Sequence, residues 1–213
     1  MVRAGEHGAS RPVPAGERQP VRISIRPASP ADAATIAAVR AESWRSAYAG
    51  VIPADILGRL TSPALVDQRA QAMRDRWPAG MLIAEELMAE DRADAGAGSG
   101  SVAAVGFANF GREREPVGES LTAAPGGDPS RAELYAIYVL PRYWSAGAGL
   151  ALMTEVLRRA KADGYGTLSL WVLERNARAR RFYERAGFGQ TGHSQVLESL
   201  GGVTELRYEM RLA

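Results

Sequence analysis

The stretch Tyr138-Val139-Leu140-Pro141-Arg142-Tyr143-Trp144-Ser145-Ala146-Gly147-Ala148-Gly149-Leu150 decides the reading of this chain. An apolar run closes on Pro141 and small residues follow. From Leu150 to Ala162 apolar side chains then recur at helical spacing (Met153, Val156, Leu157, Ala160). The pattern is a strand, a turn and the start of an amphipathic helix. Consecutive unpaired N–H groups at such a helix start form a concave anion site, reinforced by the helix dipole. Gly147 and Gly149 leave room for a diphosphate to approach the main chain with no Cβ in the way. Gly-x-Gly also serves turns that bind nothing, so rival phosphate motifs matter. A dinucleotide-binding fingerprint needs Gly or Ala three residues after the second glycine, where this chain has Leu152. The Gly-Lys-Ser/Thr of a P-loop occurs nowhere.

Working outward, Glu133–Leu140 is a strand candidate ended by Pro141, Thr167–Leu173 is a strand, and Asn176–Ala186 is a helix closed by Gly187. Phe188–Val196 and Thr204–Leu212 can pair as a terminal hairpin across Gly201-Gly202. Upstream, Val21–Arg26 alternates as a first strand. Ser29-Pro30-Ala31-Asp32 then opens a helix running into the Trp44–Tyr48 region. Pro53–Leu60 reads as a short helix, and Met81–Glu86 and Val102–Phe110 as strands joined by the loose connection Asp91–Ser101. Gly111–Ser130, punctuated by glycine and proline, reads as a long loop. The order β-α-α-β-β-β-α-β-α-β-β predicts an α/β fold, a central mixed sheet with helices on both faces. Residues 1–20 read as a disordered leader before a single domain, 21–213.

Bulk properties narrow the function. Apolar residues make up 46% and charged residues 23%, an ordinary globular balance, and the net charge of +2 does not point to nucleic acid. No run reaches the ~18 apolar residues of a spanning helix. Cysteine is absent, which removes disulfides, thiolate metal sites and a Cys nucleophile, and is compatible with the cytoplasm. His193 stands alone, with no triad partner or metal spacing, and no metal is expected.

Two blocks together resemble the GNAT superfamily of acyl-CoA N-acyltransferases. Trp144-Ser145-Ala146-Gly147-Ala148-Gly149 is in register with the family's Gln/Arg-x-x-Gly-x-Gly/Ala turn, departing at Trp144. The run from Asn176 to Phe188 matches its Asn-x-x-Ala-x-x-Phe-Tyr-x-x-x-Gly-Phe motif through Asn176, Ala179, Phe182, Tyr183, Gly187 and Phe188. Ser43-Trp44-Arg45-Ser46-Ala47-Tyr48-Ala49-Gly50 is similar to a Trp-Arg-x-x-Tyr-x-Gly block of many bacterial members.

The resemblance implies strands that splay at an acyl-CoA site, and direct transfer of acetyl from acetyl-CoA to a primary amine. The acceptor is a small molecule or a protein, and a homodimer is possible. A CoA-binding module without turnover is the alternative. The cofactor would lie on Ile137, Tyr138 and Val139, on the turn Trp144-Ser145-Ala146-Gly147-Ala148-Gly149-Leu150, and on Asn176, Ala179 and Tyr183. The Val139 N–H would polarise the thioester carbonyl. Glu133 is the expected general base and Tyr183 the general acid. Asn176 is either a helix cap, a pantetheine ligand or both. Strand alternation places Glu133, Tyr135, Ile137 and Val139 on one face, and Glu133 lies roughly 13 Å from Ile137 along the strand unless a bulge shortens the path. Tyr135 and Tyr48 are expected at the acceptor, Trp44 and Phe182 in the core. Arg158, Arg159, Arg178, Arg180 and Arg181 are candidates for the adenosine 3′-phosphate, or else a solvated basic face.

Overall fold

The computed structural model describes residues 21–87, 102–114 and 128–212. The expected leader 1–20, the connection Asp91–Ser101 and most of the loop Gly111–Ser130 lie outside the described residues.

Among the described residues seven strands form one sheet: β1 (Ile23–Pro27), β2 (Met81–Leu87), β3 (Val102–Arg112), β4 (Arg131–Val139), β5 (Thr167–Leu173), β6 (Gly189–Leu197) and β7 (Val203–Arg211). Their order is β1-β2-β3-β4-β5-β7-β6. Every neighbouring pair is antiparallel except β4 with β5, so the sheet is mixed as expected. The expected hairpin is β6–β7, and β7 lies between β5 and β6.

Among the described residues five α-helices cover the two faces: α1 (Ala33–Ala47), α2 (Ala54–Leu60), α3 (Pro63–Asp75), α4 (Ala148–Ala162) and α5 (Ala177–Arg185). Helix α3 has no counterpart in the order read from sequence. Its start carries a local signal, because Pro63 occupies the first turn and the Ser62 hydroxyl accepts from the Leu65 N–H at 3.4 Å. On one face α4 buries Leu152, Met153, Val156 and Ala160 with Leu168, Leu170 and Leu206. Leu152 and Met153 are fully buried, so truncating either to Ala costs about 2–5 kcal/mol. On the other face Ile36 and Val39 of α1 pack on Ile83 and Phe107. Trp44 joins Leu57, Leu173, Leu197 and Leu200 farther along that face.

Two features of β4 position the site. First, its pairing with β5 is short, Arg131–Leu134 against Thr167–Leu170. Beyond Leu134, β4 stays with β3 as far as Val139, while β5 follows β7 as far as Leu173. The sheet opens between them. Second, Asn109 pairs with Ala136 and Phe110 with Leu134, so Tyr135 is an extra residue, a β-bulge. The bulge exchanges the faces of the strand. Ala132 and Leu134 before it, and Ile137 and Val139 after it, belong to the α4-side core, whereas Ala136 and Tyr138 pack on the α1 side. Alternation from Ala132 and Leu134 therefore puts Glu133 on the α1 side with Ala136 and Tyr138. This corrects the expectation that Glu133 shares a face with Ile137 and Val139.

Candidate active site

The split between β4 and β5 widens into a cleft of about 730 Å³, bounded by α1, the start of α4, and α5. At one end lies the glycine turn. Gly147 caps α4 in the left-handed region, φ 91°, and Ser145 before it is also left-handed at φ 68°. A Cβ on Gly147 would meet no protein atom within 4 Å, so the position faces open space and its glycine is favoured by backbone conformation alone. The first helical bond runs from the Ala151 N–H to the Gly147 carbonyl, at 2.9 Å. The N–H groups of Gly147, Ala148, Gly149 and Leu150 have no partner among the described residues. These donors converge beside the splayed strand and fit an anionic group such as a diphosphate.

The open edge of β4 supplies the next contacts. The Leu140 N–H bonds the Val105 carbonyl on the β3 side. Alternation along the strand turns the main-chain groups of Val139 and Ile137 the other way, into the cleft. The Val139 carbonyl is taken by the Ser43 hydroxyl at 3.1 Å and by the Trp144 indole N–H at 2.8 Å. Trp144 thus ties the turn to the strand, and Arg178 stacks on its ring at 4.4 Å. Leaving the Val139 N–H toward the cleft suits it to polarise a carbonyl there.

Helix α5 forms the opposite wall. Asn176 caps it, its side-chain oxygen accepting from the Ala179 N–H at 3.1 Å, and it also lines the cleft. Tyr183 lines the cleft too, yet it is the buried residue of α5, 8% exposed, while Phe182 is half-buried and lies under Gly149. Phe182 packs on the core as expected, and Tyr183 does so too, with both rings reaching the cleft. Burial pushes the Tyr183 hydroxyl well above the usual phenol value, helped by Tyr138, so it stays protonated. Tyr48 is raised as well, first by burial and then by Tyr138.

The remaining expected residues divide. Ile137, Tyr138, Val139, Trp144, Ser145, Gly147, Gly149, Leu150, Ala179, Tyr48 and Tyr135 all line the cleft, whereas Ala146 and Ala148 do not. Ala148 is fully buried under the turn and can contribute only its main chain. Arg178 and Arg181 reach the cleft. Arg180 is spent on the Tyr208 hydroxyl and the Glu174 carbonyl, and Arg158 and Arg159 pair with Glu155, away from it. Trp44 packs in the core as expected, edge-on to Tyr48 with ring centroids 5.1 Å apart. His193 is exposed and hydrogen-bonds Thr191.

Glu133 is buried, 3% exposed, on the α1 side of the cleft. One of its oxygens accepts from the Arg114 backbone N–H at 3.2 Å and from Nε at 3.1 Å, and the other accepts from the Arg114 guanidinium. Arg114 was not anticipated, because nothing local in its sequence links it to Glu133. Glu205 of β7, also unanticipated, lines the same region. Burial raises its pKa above the usual carboxylate value. Among the described residues no cluster of His, Cys, Asp or Glu could hold a metal, and no helix is long and apolar enough to cross a membrane.

Residues 62–188 match the model of the Acetyltransferase (GNAT) family. The chain is 30% identical over 154 residues to the "Uncharacterized N-acetyltransferase YuaI" of Bacillus subtilis, covering 72% of this chain and 73% of that one. It is 27% identical to the "Probable N-acetyltransferase Rv2775" of Mycobacterium tuberculosis, covering 87% and 90%. The solved structure of YncA from Salmonella typhimurium with its cofactor acetyl-CoA superposes with a TM-score of 0.59 at 20% identity, over 90% of this chain and 94% of that one, which shows a shared fold. An open α4 N-terminus beside a splayed β4, and a family match spanning both, make this chain a member of the GNAT family of N-acetyltransferases.

Proposed function

We propose that the protein transfers acetyl from acetyl-CoA to a primary amine by direct attack. The observation that carries this reading is the row of unpartnered N–H groups from Gly147 to Leu150, opening on the split between β4 and β5. The diphosphate would rest on these donors, with Arg178 and Arg181 beside it. The pantetheine amides would add to the free edge of β4 at Ile137 and Val139, as an extra strand does. The amide of Asn176, whose oxygen is already used as a cap, would serve from the facing wall.

The chemistry follows from what lines the far end. The Val139 N–H would hold the thioester oxygen as negative charge develops on it. Tyr183, kept neutral by burial, would donate to the departing sulfur. Its raised pKa makes it a weak acid, so its main contribution is a hydrogen bond to the developing thiolate. The amine would enter from the α1 side, past Tyr48 and Tyr135, toward Glu133 and Glu205. The chain has no Cys to carry an acyl group, which favours direct attack.

Thiol release from acetyl-CoA with a panel of primary amines tests the reading. Amine-dependent release that saturates in both substrates supports it. A protein that binds CoA but releases no thiol with any amine contradicts it.

A further inference from the structure

The charged side chains lining the acceptor half of the cleft, between α1 and strands β4, β5 and β7, are Arg40, Glu113, Arg114, Glu133, Glu205 and Arg207. Most of them satisfy one another. Glu113 pairs with Arg131 and Arg207 and accepts from the Ser169 hydroxyl. Arg207 also reaches Glu209, at 2.9 Å. Arg114 holds Glu133. Two groups of opposite sign are left.

Arg40 makes no hydrogen bond or ion pair with any described residue, and its guanidinium lies 4.8 Å over the Trp44 ring. Its Nε and the Trp44 indole N–H are both buried without a partner, and Trp44 is only 5% exposed. Glu205 sits in register with Leu173 of β5 and Gln195 of β6. It accepts one hydrogen bond, from the Gln195 amide, and has no ion pair among the described residues. Buried donors without a partner are costly, and folded proteins seldom keep them idle. Here both signs line one cavity, and a ligand bearing both would satisfy them together.

We infer that the acceptor is a dipolar amine, an amino acid or other small amino carboxylate, with its ammonium against Glu205 and its carboxylate against Arg40 beside Trp44. The inference rests on the acetyl-transfer reading above and assigns proton acceptance to Glu205 in place of Glu133, whose oxygens Arg114 occupies. The Glu205 carboxylate takes one proton from the ammonium. The freed lone pair forms the C–N bond at the thioester carbonyl carbon, and the C–S bond breaks with its electron pair on sulfur. Sulfur takes the Tyr183 proton, and the second proton shed by nitrogen restores that hydroxyl. One proton leaves with the turnover, from Glu205.

The elevated pKa of Glu205 agrees with a base. Burial raises it and the Glu133 charge adds to this, while the Gln195 hydrogen bond and Arg114 oppose it. The groups around it are Gln195 from β6, Glu133 from β4, Arg114 after β3, and Arg207 on its own strand.

The test compares α-amino acids and short linear ω-amino acids with their amides and with the amines lacking the carboxylate, in thiol-release assays. At least one amino carboxylate should exceed its amide by about tenfold or more in kcat/KM, which at ~1.4 kcal/mol per tenfold is within reach of a charge-assisted contact. Arg40→Gln should erase that preference and Arg40→Lys, which keeps the charge, should retain part of it. Glu205→Gln should lower kcat on acid and amide alike by roughly 10²-fold or more and abolish the acid limb of the rate profile, with CoA affinity unchanged. An amide as good as its acid, an equal loss on both from Arg40→Gln, or a CoA-binding protein that acetylates no member of the panel overturns the inference. Acetylation of amines without a carboxylate at least as efficiently as of any amino carboxylate leaves acetyl transfer standing while removing the dipolar acceptor, whereas failure to bind CoA removes acetyl transfer itself.

Discussion

Arg114 holds Glu133 by its own backbone N–H and by its guanidinium, so that one residue fixes both carboxylate oxygens on the floor of the cleft. The pair joins the end of β3 to β4 at the residue just before the bulged Leu134–Ala136 segment. Removing the arginine leaves a buried carboxylate without its counter-charge, and such breaks cost about 3–5 kcal/mol. Arg114→Met should therefore lower the thermal midpoint markedly, at about 2–4 °C per kcal/mol for a domain of this size. The double variant Arg114→Met/Glu133→Gln should recover much of the loss. Thermal unfolding of the three proteins checks this, and full additivity of the two changes would show that the pair is not coupled.

Tyr183→Phe keeps the ring that packs on Phe182 and Phe188 and removes only the hydroxyl. Turnover should fall by roughly 10²-fold with CoA affinity unchanged. A loss in CoA affinity with unchanged kcat would mark Tyr183 as a packing residue. Steady-state kinetics with a CoA titration separates the two.

The tyrosines also set an alkaline limit. Tyr183, Tyr48 and Tyr135 are all raised above the usual phenol value, chiefly by burial, Tyr135 to about 12. The folded state therefore holds these protons more tightly than the unfolded chain. Their contribution to stability is intact below about pH 10 and is lost as pH rises through the folded values. Chemical denaturation from pH 9 upward should show stability declining above about pH 10, and Tyr183→Phe should flatten that decline. A decline of equal steepness in the variant would remove Tyr183 from the effect.

Much of the fold was legible because local signals and tertiary demands agree. Strand β5 runs over Thr167–Leu173 as its apolar, β-branched composition indicates, and the glycine turn sits where the strand closes on Pro141. Helix α3 escaped a reading based on apolar spacing because only Ala70 of its residues is buried, although Ser62-Pro63 marked its start. The bulge at Tyr135 was not legible, since it exists only in the register of β4 against β3, and every face assignment along β4 turns on it. The cofactor half of the site was readable for a related reason: main-chain donors at a helix start announce themselves through glycine. The acceptor half is assembled from β3, β4, β7 and α1, and partners such as Arg114 and Glu133 are brought together only by the fold.

The acyl-donor site depends on backbone at Gly147. Gly147→Ala should be mild, because its Cβ meets nothing and the change adds only the left-handed backbone cost of about 1–2 kcal/mol to stability. Gly147→Asp puts a negative charge into the same open space.

Calorimetric titration of CoA into the wild-type protein and Gly147→Asp tests the central claim most directly. Saturable binding by the wild type that is lost in Gly147→Asp, while both remain folded, is the predicted result. Equal binding by the two proteins, or none by the folded wild type, would contradict it.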